Sequence, residues 1–217
     1  MSMFLQIKKI PNLSWSSKSP KNLKPSFKTL FLLCFGLIIF GFGEGLLIIS
    51  TIGASPWNVL HQGLAINLGL SVGSWAFLVS LIVLLFWFFL DEKIGMGTIL
   101  NVIIIAIMID LTIVFFDAPK LWVNQFLLCV ISVLMVGLGS GIYLIARLGP
   151  GPRDGLMTGL QRKTSFSIAL IRGSIELIIV SCGWLLGGTV GVGTLLYALG
   201  IGPAVAFGLS IVKKTSS

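Results

Sequence analysis

The chain has 217 residues, a formal net charge of +8 and a mean hydropathy of +1.05, with 56% hydrophobic and 10% charged residues. Soluble domains carry roughly 25% charged residues, so this composition excludes a soluble protein and requires an integral membrane one. The positive charge lies in tails and loops beside apolar runs, which favours anionic lipid headgroups as its counterpart and argues against nucleic acid.

Residues 1–28 hold Lys8, Lys9, Lys18, Lys21, Lys24 and Lys28 and no acidic residue. Polar, with Pro and Ser, this segment reads as a flexible, basic cytoplasmic tail. The apolar run that follows is of spanning length and enters the body of the chain directly, so cleavage as a signal peptide is not expected. Spanning helices are expected over 29–51, 72–90, 95–116, 122–147, 166–187 and 191–212, each near the roughly 20 residues that a hydrocarbon core requires. No stretch between them has room for a soluble domain, so 29–213 forms a single membrane domain. Cys34, Cys129 and Cys182 fall in separate apolar runs. They form neither a loop disulfide framework nor a ligand cluster, and are expected to be buried free thiols.

The chain contains itself twice. Gly53-Ala54-Ser55-Pro56-Trp57-Asn58 returns 96 residues later as Gly149-Pro150-Gly151-Pro152-Arg153-Asp154. Gly41, Gly43 and Gly45 return as Gly137, Gly139 and Gly141, and Gly95-Met96-Gly97-Thr98 as Gly191-Val192-Gly193-Thr194, all at the same spacing of 96. One ungapped offset defines two repeats, 29–119 and 122–213. After the first span of each repeat comes a helix too short to cross, at 55–68 and at 151–163. Pro56 and Pro152 stand at the first helical position, where a missing N–H is harmless, behind Ser55 as an N-cap and Gly151 as a weaker one. Asn58 and Asp154 occupy equivalent places in the first turn, where a polar or anionic side chain suits the positive helix end. Gly41 with Gly45, and Gly137 with Gly141, are expected to pack the two halves together as small-xxx-small pairs. Thr98 and Thr194 are expected near the caps of the helices they open. Gly-x-Gly-Thr is not a phosphate loop here, since no Lys follows and no strand precedes it.

With the amino terminus inside, 13 Lys and Arg fall on the inner side, Arg153 among them, against Lys120 alone outside. The positive-inside rule then places both termini in the cytoplasm, with an even number of spans. Three spans per repeat is odd, so the second repeat is inverted relative to the first. Inverted repeats that meet near the midplane are a recurrent architecture of secondary transporters. The expected fold is an all-α membrane protein with six transmembrane helices in two inverted-topology three-helix repeats, each with a short non-spanning helix.

Gly53-Ala-Ser-Pro-Trp57-Asn58, Gly95-Met-Gly-Thr98 and Gly149-Pro-Gly-Pro-Arg153-Asp154-Gly155-Leu-Met resemble the YczE/YyaS/YitT family of bacterial integral membrane proteins, closest to its YczE-like branch. The resemblance covers nearly all of residues 29–212. It implies a multi-pass protein of the bacterial plasma membrane, with a permease-like role. The family commonly carries Asp where this chain has Asn58, so the charge of the first short helix is lost here.

Polar residues inside apolar runs are the functional candidates. Glu44 lies between Gly43 and Gly45, and its repeat partner is Ser140, so it breaks the symmetry. A charge at the bilayer centre costs about 2.5–3.5 kcal/mol on insertion scales. It is expected to be protonated or matched by a cation, with coupling, substrate binding or a plain hydrogen bond as its roles. If the short helices dip into the membrane, Trp57, Asn58, Arg153 and Asp154 line a cavity; if they lie flat, Trp57 anchors at the interface and Arg153 meets headgroups. Arg172 and Glu176 are four apart on one helix face and form either a local ion pair or, for Arg172, a partner to Glu44 or a substrate carboxylate. Asp110 sits late in its span, near the outer surface or facing the same cavity as Asn101. His61 is the sole histidine and is expected in a polar surface role.

No metal, cofactor or catalytic set is expected, and the chain reads as a non-enzyme. The leading expectation is a permease-like protein moving a small solute or ion, with Glu44, Asn58, Arg153, Asp154, Arg172 and Glu176 forming the site. The alternative is a non-transporting accessory or regulatory membrane protein that binds a partner complex. A homodimer fits either reading.

Overall fold

The structure, a computed structural model, describes residues 10–215, and no strand occurs among them. In chain order the helices are α1 (Phe27–Ile49), α2 (Pro56–Leu68), α3 (Val72–Leu90), α4 (Met96–Phe115), α5 (Trp122–Ala146), α6 (Pro152–Thr164), α7 (Ile168–Leu185) and α8 (Val192–Thr215). All but α2 and α6 are long and apolar enough to cross a membrane. The bounds lie within a few residues of those expected from the sequence.

Local chemistry sets the helix starts. The hydroxyls of Ser26, Ser71 and Ser167 accept from the N–H of Thr29, Ser74 and Leu170 at 3.2, 3.1 and 3.3 Å, capping α1, α3 and α7. Thr98 and Thr194 Oγ1 accept from the N–H of Gly95 and Gly191, both at 3.3 Å, as α4 and α8 begin. The backbone carries the duplication too. Besides Leu70, the positive φ values among the described residues fall in pairs 96 apart: Thr51 with Arg147, Gly53 with Gly149, Gly69 with Ser165 and Asp91 with Gly187. A backbone turn that L side chains rarely adopt thus recurs at the same place in each half.

The body is built on α1 crossing α5 antiparallel, with α4 against α1 and α8 against α5. Glycines make these crossings, though not in the expected way. A Cβ on Gly41 would meet Ile105 and Met108, and one on Gly45 would meet Thr112, all on α4 of the same half. Gly137 and Gly141 likewise abut Ala204 and Gly208 on α8. The middle glycines join the halves instead: Gly43 backs onto Val136, and Gly139 onto Gly36 and Phe40. The outer pair of each triplet faces a different side of the helix from the middle one, so one triplet serves two interfaces. Gly139→Ala should cost about 1–3 kcal/mol through overpacking, because its Cβ would come 2.6 Å from the Phe40 nitrogen, which cannot swing away. Thermal unfolding in detergent checks this; an unchanged midpoint would contradict the crossing.

A second layer, α2, α3, α6 and α7, packs outside this core. Trp87 of α3 covers Gly155 of α6, and 96 residues on, Gly183 of α7 backs onto Val59 and Leu60 of α2. Call the end where α1 begins the near end. There Arg162 and Lys163 at the end of α6 pair with Glu92 and Asp91 at 2.8 and 3.1 Å. At the far end Asn67 of α2 donates to the Leu186 carbonyl at 2.6 Å. The short helices therefore have their C-termini at opposite ends, and their N-termini run inward.

Two further expectations need correction. Residues 10–26 are not a loose tail: Trp15 is buried, its carbonyl accepts from Thr29 Oγ1, and the Ser17 N–H donates to the Ala146 carbonyl at 3.0 Å. That bond supplies a donor to a carbonyl the end of α5 would otherwise leave bare. Lys8 and Lys9 lie outside the described residues. Of the thiols, Cys129 is buried, Cys34 is half-buried and Cys182 is exposed, since α7 has few neighbours to cover it.

Candidate functional site

The inward ends of α2 and α6 meet inside the body. The Arg153 guanidinium lies 5.0 Å from the centre of the Trp57 ring, within cation–π range. These two residues are repeat equivalents, 96 apart. Trp57 is buried and Arg153 half-buried, so neither is an interfacial anchor, and Arg153 does not belong with the near-end loop charges. Among the described residues the guanidinium makes no hydrogen bond and no ion pair.

Beside this stack lies Glu44, 1% exposed. Its Oε2 accepts from Ser55 Oγ at 2.7 Å and Asn58 Nδ2 at 2.6 Å, and its Oε1 from Tyr197 OH at 2.8 Å. Neutral donors from α8 and from the start of α2 thus satisfy the carboxyl, and Arg153 adds positive charge within electrostatic reach. Ser55 does occupy the N-cap position of α2, but its side chain makes no cap bond; the hydroxyl is turned to Glu44 instead.

Because Asn58 spends its amide N–H on Glu44, its carbonyl oxygen is left to accept. It lies 3.0 Å from His61 Nδ1, which makes Nδ1 the protonated nitrogen and Nε2 a bare acceptor. Nε2 is buried, with no hydrogen-bond partner among the described residues. Burial, and then the charge of Arg153, hold the imidazole well below the usual histidine range. The expected surface role for His61 is wrong: it is fully buried, because α2 is tucked among α1, α3 and α7.

The second half answers with different chemistry. Tyr143 of α5 donates to Asp154 Oδ2 at 2.7 Å. Asn101 of α4, the repeat equivalent of Tyr197, lies against Gly151 at the start of α6. Arg172 Nε donates to Glu176 Oε1 at 2.9 Å, the local pair foreseen from their spacing. Arg172 also lies within electrostatic reach of Asp154 and Tyr197, but makes no bond to Glu44. The structure therefore gathers Glu44, Asn58, Arg153 and Asp154 about the two inward helix ends, with Arg172 and Glu176 flanking. It adds Ser55, His61, Tyr143 and Tyr197, which sequence reasoning missed as site residues. The two tyrosines are the only ones in the chain, each inside an apolar run, and that scarcity was the available signal. Asp110 lies elsewhere, bonded to the start of α3.

Six long apolar helices around a buried polar centre define a multi-pass membrane protein. Residues 27–209 match the family of unknown function DUF6198. The chain is 39% identical over 209 residues to an uncharacterized protein of Haemophilus influenzae, covering 96% of this chain and 95% of that one. It is 34% identical to the uncharacterized membrane protein YczE of Bacillus subtilis (80% of this chain, 82% of the relative). It is 32% identical to the uncharacterized protein YyaS of the same organism (74% and 82%). The chain belongs to this YczE-like family of membrane proteins. No solved structure matches it.

Proposed function

We propose that the chain is a permease-like protein of the bacterial plasma membrane that carries a small solute with a carboxylate or similar oxyanion group. In this reading its two three-helix repeats have inverted topology and the site lies where they meet. Contacts that recur with their partners exchanged support the inversion. The Gly97 N–H donates to the Leu148 carbonyl at 2.8 Å, and the Gly193 N–H to the Ile52 carbonyl at 2.8 Å; each residue of one pair is 96 from a residue of the other. Two equivalent residues that touch, as Trp57 and Arg153 do, must lie close to the two-fold axis relating the halves. The lysines and arginines at the near end, Lys93, Arg162, Lys163, Lys213 and Lys214 among them, support a cytoplasmic placement of both termini.

The observation that carries the solute class is the Arg153 guanidinium, seated on Trp57 between two inward helix starts. Among the described residues it engages in no hydrogen bond or ion pair, and the Glu44 carboxyl within its electrostatic reach is bonded to neutral donors. Helix N-termini favour negative charge, and a guanidinium fork matches a planar carboxylate. Glu44 in this reading organises the start of α2: its carboxyl, also bonded by Tyr197, accepts from Ser55 and Asn58 and holds both in place. The test is thermal unfolding of purified protein against small mono- and dicarboxylates, phosphate, and matched neutral amides. A ligand at a hundredfold excess over its Kd should add about 2.7 kcal/mol to stability. We expect a carboxylate hit that disappears in Arg153→Ala. Stabilisation by the neutral amides alone, or by nothing in the panel, would remove this reading and turn attention to a partner-binding role.

A further inference from the structure

We infer that Asp110 latches a gate between α3 and α4, and that the opening between α7 and α8 is the matching gate, unlatched, through which a hydrophilic solute reaches Arg153. This rests on the transport reading above. Asp110 Oδ1 accepts from the Gly73 N–H at 2.7 Å, and its Oδ2 from Ser71 Oγ. Gly73 backs so closely onto α4 that a Cβ there would come 2.2 Å from the Ala106 carbonyl oxygen. The start of α3 is thereby held to the far end of α4 by a carboxylate clasp over a direct backbone contact.

The same register in the second half has no clasp. Ninety-six residues on, Ser71, Gly73 and Asp110 become Ser167, Ala169 and Ala206. The hydroxyl is kept, but the carboxylate it would bond is gone, and a methyl stands where the close approach needs glycine. The packing follows the chemistry: α3 packs on α4, whereas α7 leans on α2 and α6 and stands off α8. Only Ile171 and Gly183 of α7 are buried, and nothing comes within 4 Å of a Cβ built on Gly173.

Charged groups stand at the opening, among exposed apolar side chains of α7 and α8 such as Leu177 and Leu199. Arg172 and Glu176 line it from α7, their side chains 46% and 22% exposed. Asp154 is exposed at the start of α6, and Tyr197 closes the inner end by its bond to Glu44. Alternating negative and positive groups lead to the unpaired guanidinium, a lining for a hydrated solute and a costly one for acyl chains. In an inverted-repeat carrier the two halves exchange conformations to turn the site from one face to the other. One gate latched and its counterpart open is that asymmetry.

The test uses full-length protein in membranes, with Cys34, Cys129 and Cys182 replaced, and a charged, impermeant maleimide as probe. Gly173→Cys reports the α7–α8 side, and Ala76→Cys, buried in α3, reports the α3–α4 side. Breaking the clasp with Asp110→Ala should raise the labelling rate at Ala76→Cys and lower it at Gly173→Cys, each about tenfold, the population change that 1.4 kcal/mol produces. Where Asp110→Ala does not fold, the clasp is built instead in the other half: Ala169→Gly with Ala206→Asp should protect Gly173→Cys to the same extent. Reciprocal changes support the gate pair. A rise at Ala76→Cys without a fall at Gly173→Cys, or no response to the built clasp, overturns it. Carboxylate thermal shifts on the same variants separate the two ideas: shifts that persist while labelling ignores the clasp sink the gates and leave the binding reading standing.

Discussion

Replacing Glu44 with alanine is expected to lower the stability of the detergent-solubilised protein by about 3 kcal/mol or more, since each buried donor left unsatisfied costs about 1–3 kcal/mol. Three donors lose their acceptor at once: Ser55 Oγ, Asn58 Nδ2 and Tyr197 OH. The damage should spread along the chain of bonds, because Asn58 in turn positions His61. Glu44→Gln is expected to fall between wild type and alanine: its carbonyl oxygen still accepts, but its NH2 must face a donor that wants an acceptor. The internal control is Ser140, the repeat equivalent of Glu44. Its hydroxyl only bonds back to the Val136 carbonyl of its own helix at 2.7 Å, so Ser140→Ala should move the unfolding midpoint little. If Glu44→Ala and Ser140→Ala unfold alike, the carboxyl does not organise the buried network.

Most of the helices were legible because membrane spans and proline starts are local signals. An apolar run of spanning length, or Pro56 behind Ser55, needs no knowledge of what lies opposite. The fixed offset of 96 residues paired the halves before any contact was known. What the sequence hid was direction. Gly41, Gly43 and Gly45 look like one packing ridge, yet α4 takes the outer two and α5 the middle one. His61 looks like a surface residue on a short polar helix, and only the packing of α2 on its neighbours makes it fully buried. Tyr197 bonds Glu44 across 153 positions of sequence, a pairing no local pattern announces. The sequence singled out Glu44, Arg153 and Asp154 because charge inside the apolar body of a membrane protein is expensive and so rarely idle. Ser55, His61, Tyr143 and Tyr197 were passed over because a neutral polar side chain costs far less than a charge inside an apolar run and so draws less notice.

Arg153→Lys provides the second large effect, on binding instead of folding. Lysine keeps the positive charge but lacks the planar fork that matches a carboxylate, and it is a strongly hydrated point charge. Trp57→Leu removes the ring from beneath the guanidinium while leaving all five of its N–H donors in place. A desolvated cation–π contact is worth about 2 kcal/mol, so each substitution should weaken carboxylate binding roughly 30-fold. The decisive quantity is their combination. If Trp57 serves the solute only by seating Arg153, the double variant should bind no more weakly than Arg153→Lys, a coupling of about 2 kcal/mol in a double-mutant cycle. Titrations of the four proteins with the stabilising carboxylate measure it. Additive losses would mean that the ring and the cation act on the ligand separately. Trp57 would then have to touch the solute itself, and the two equivalent positions of the repeat would be two contacts to the solute instead of one shared device.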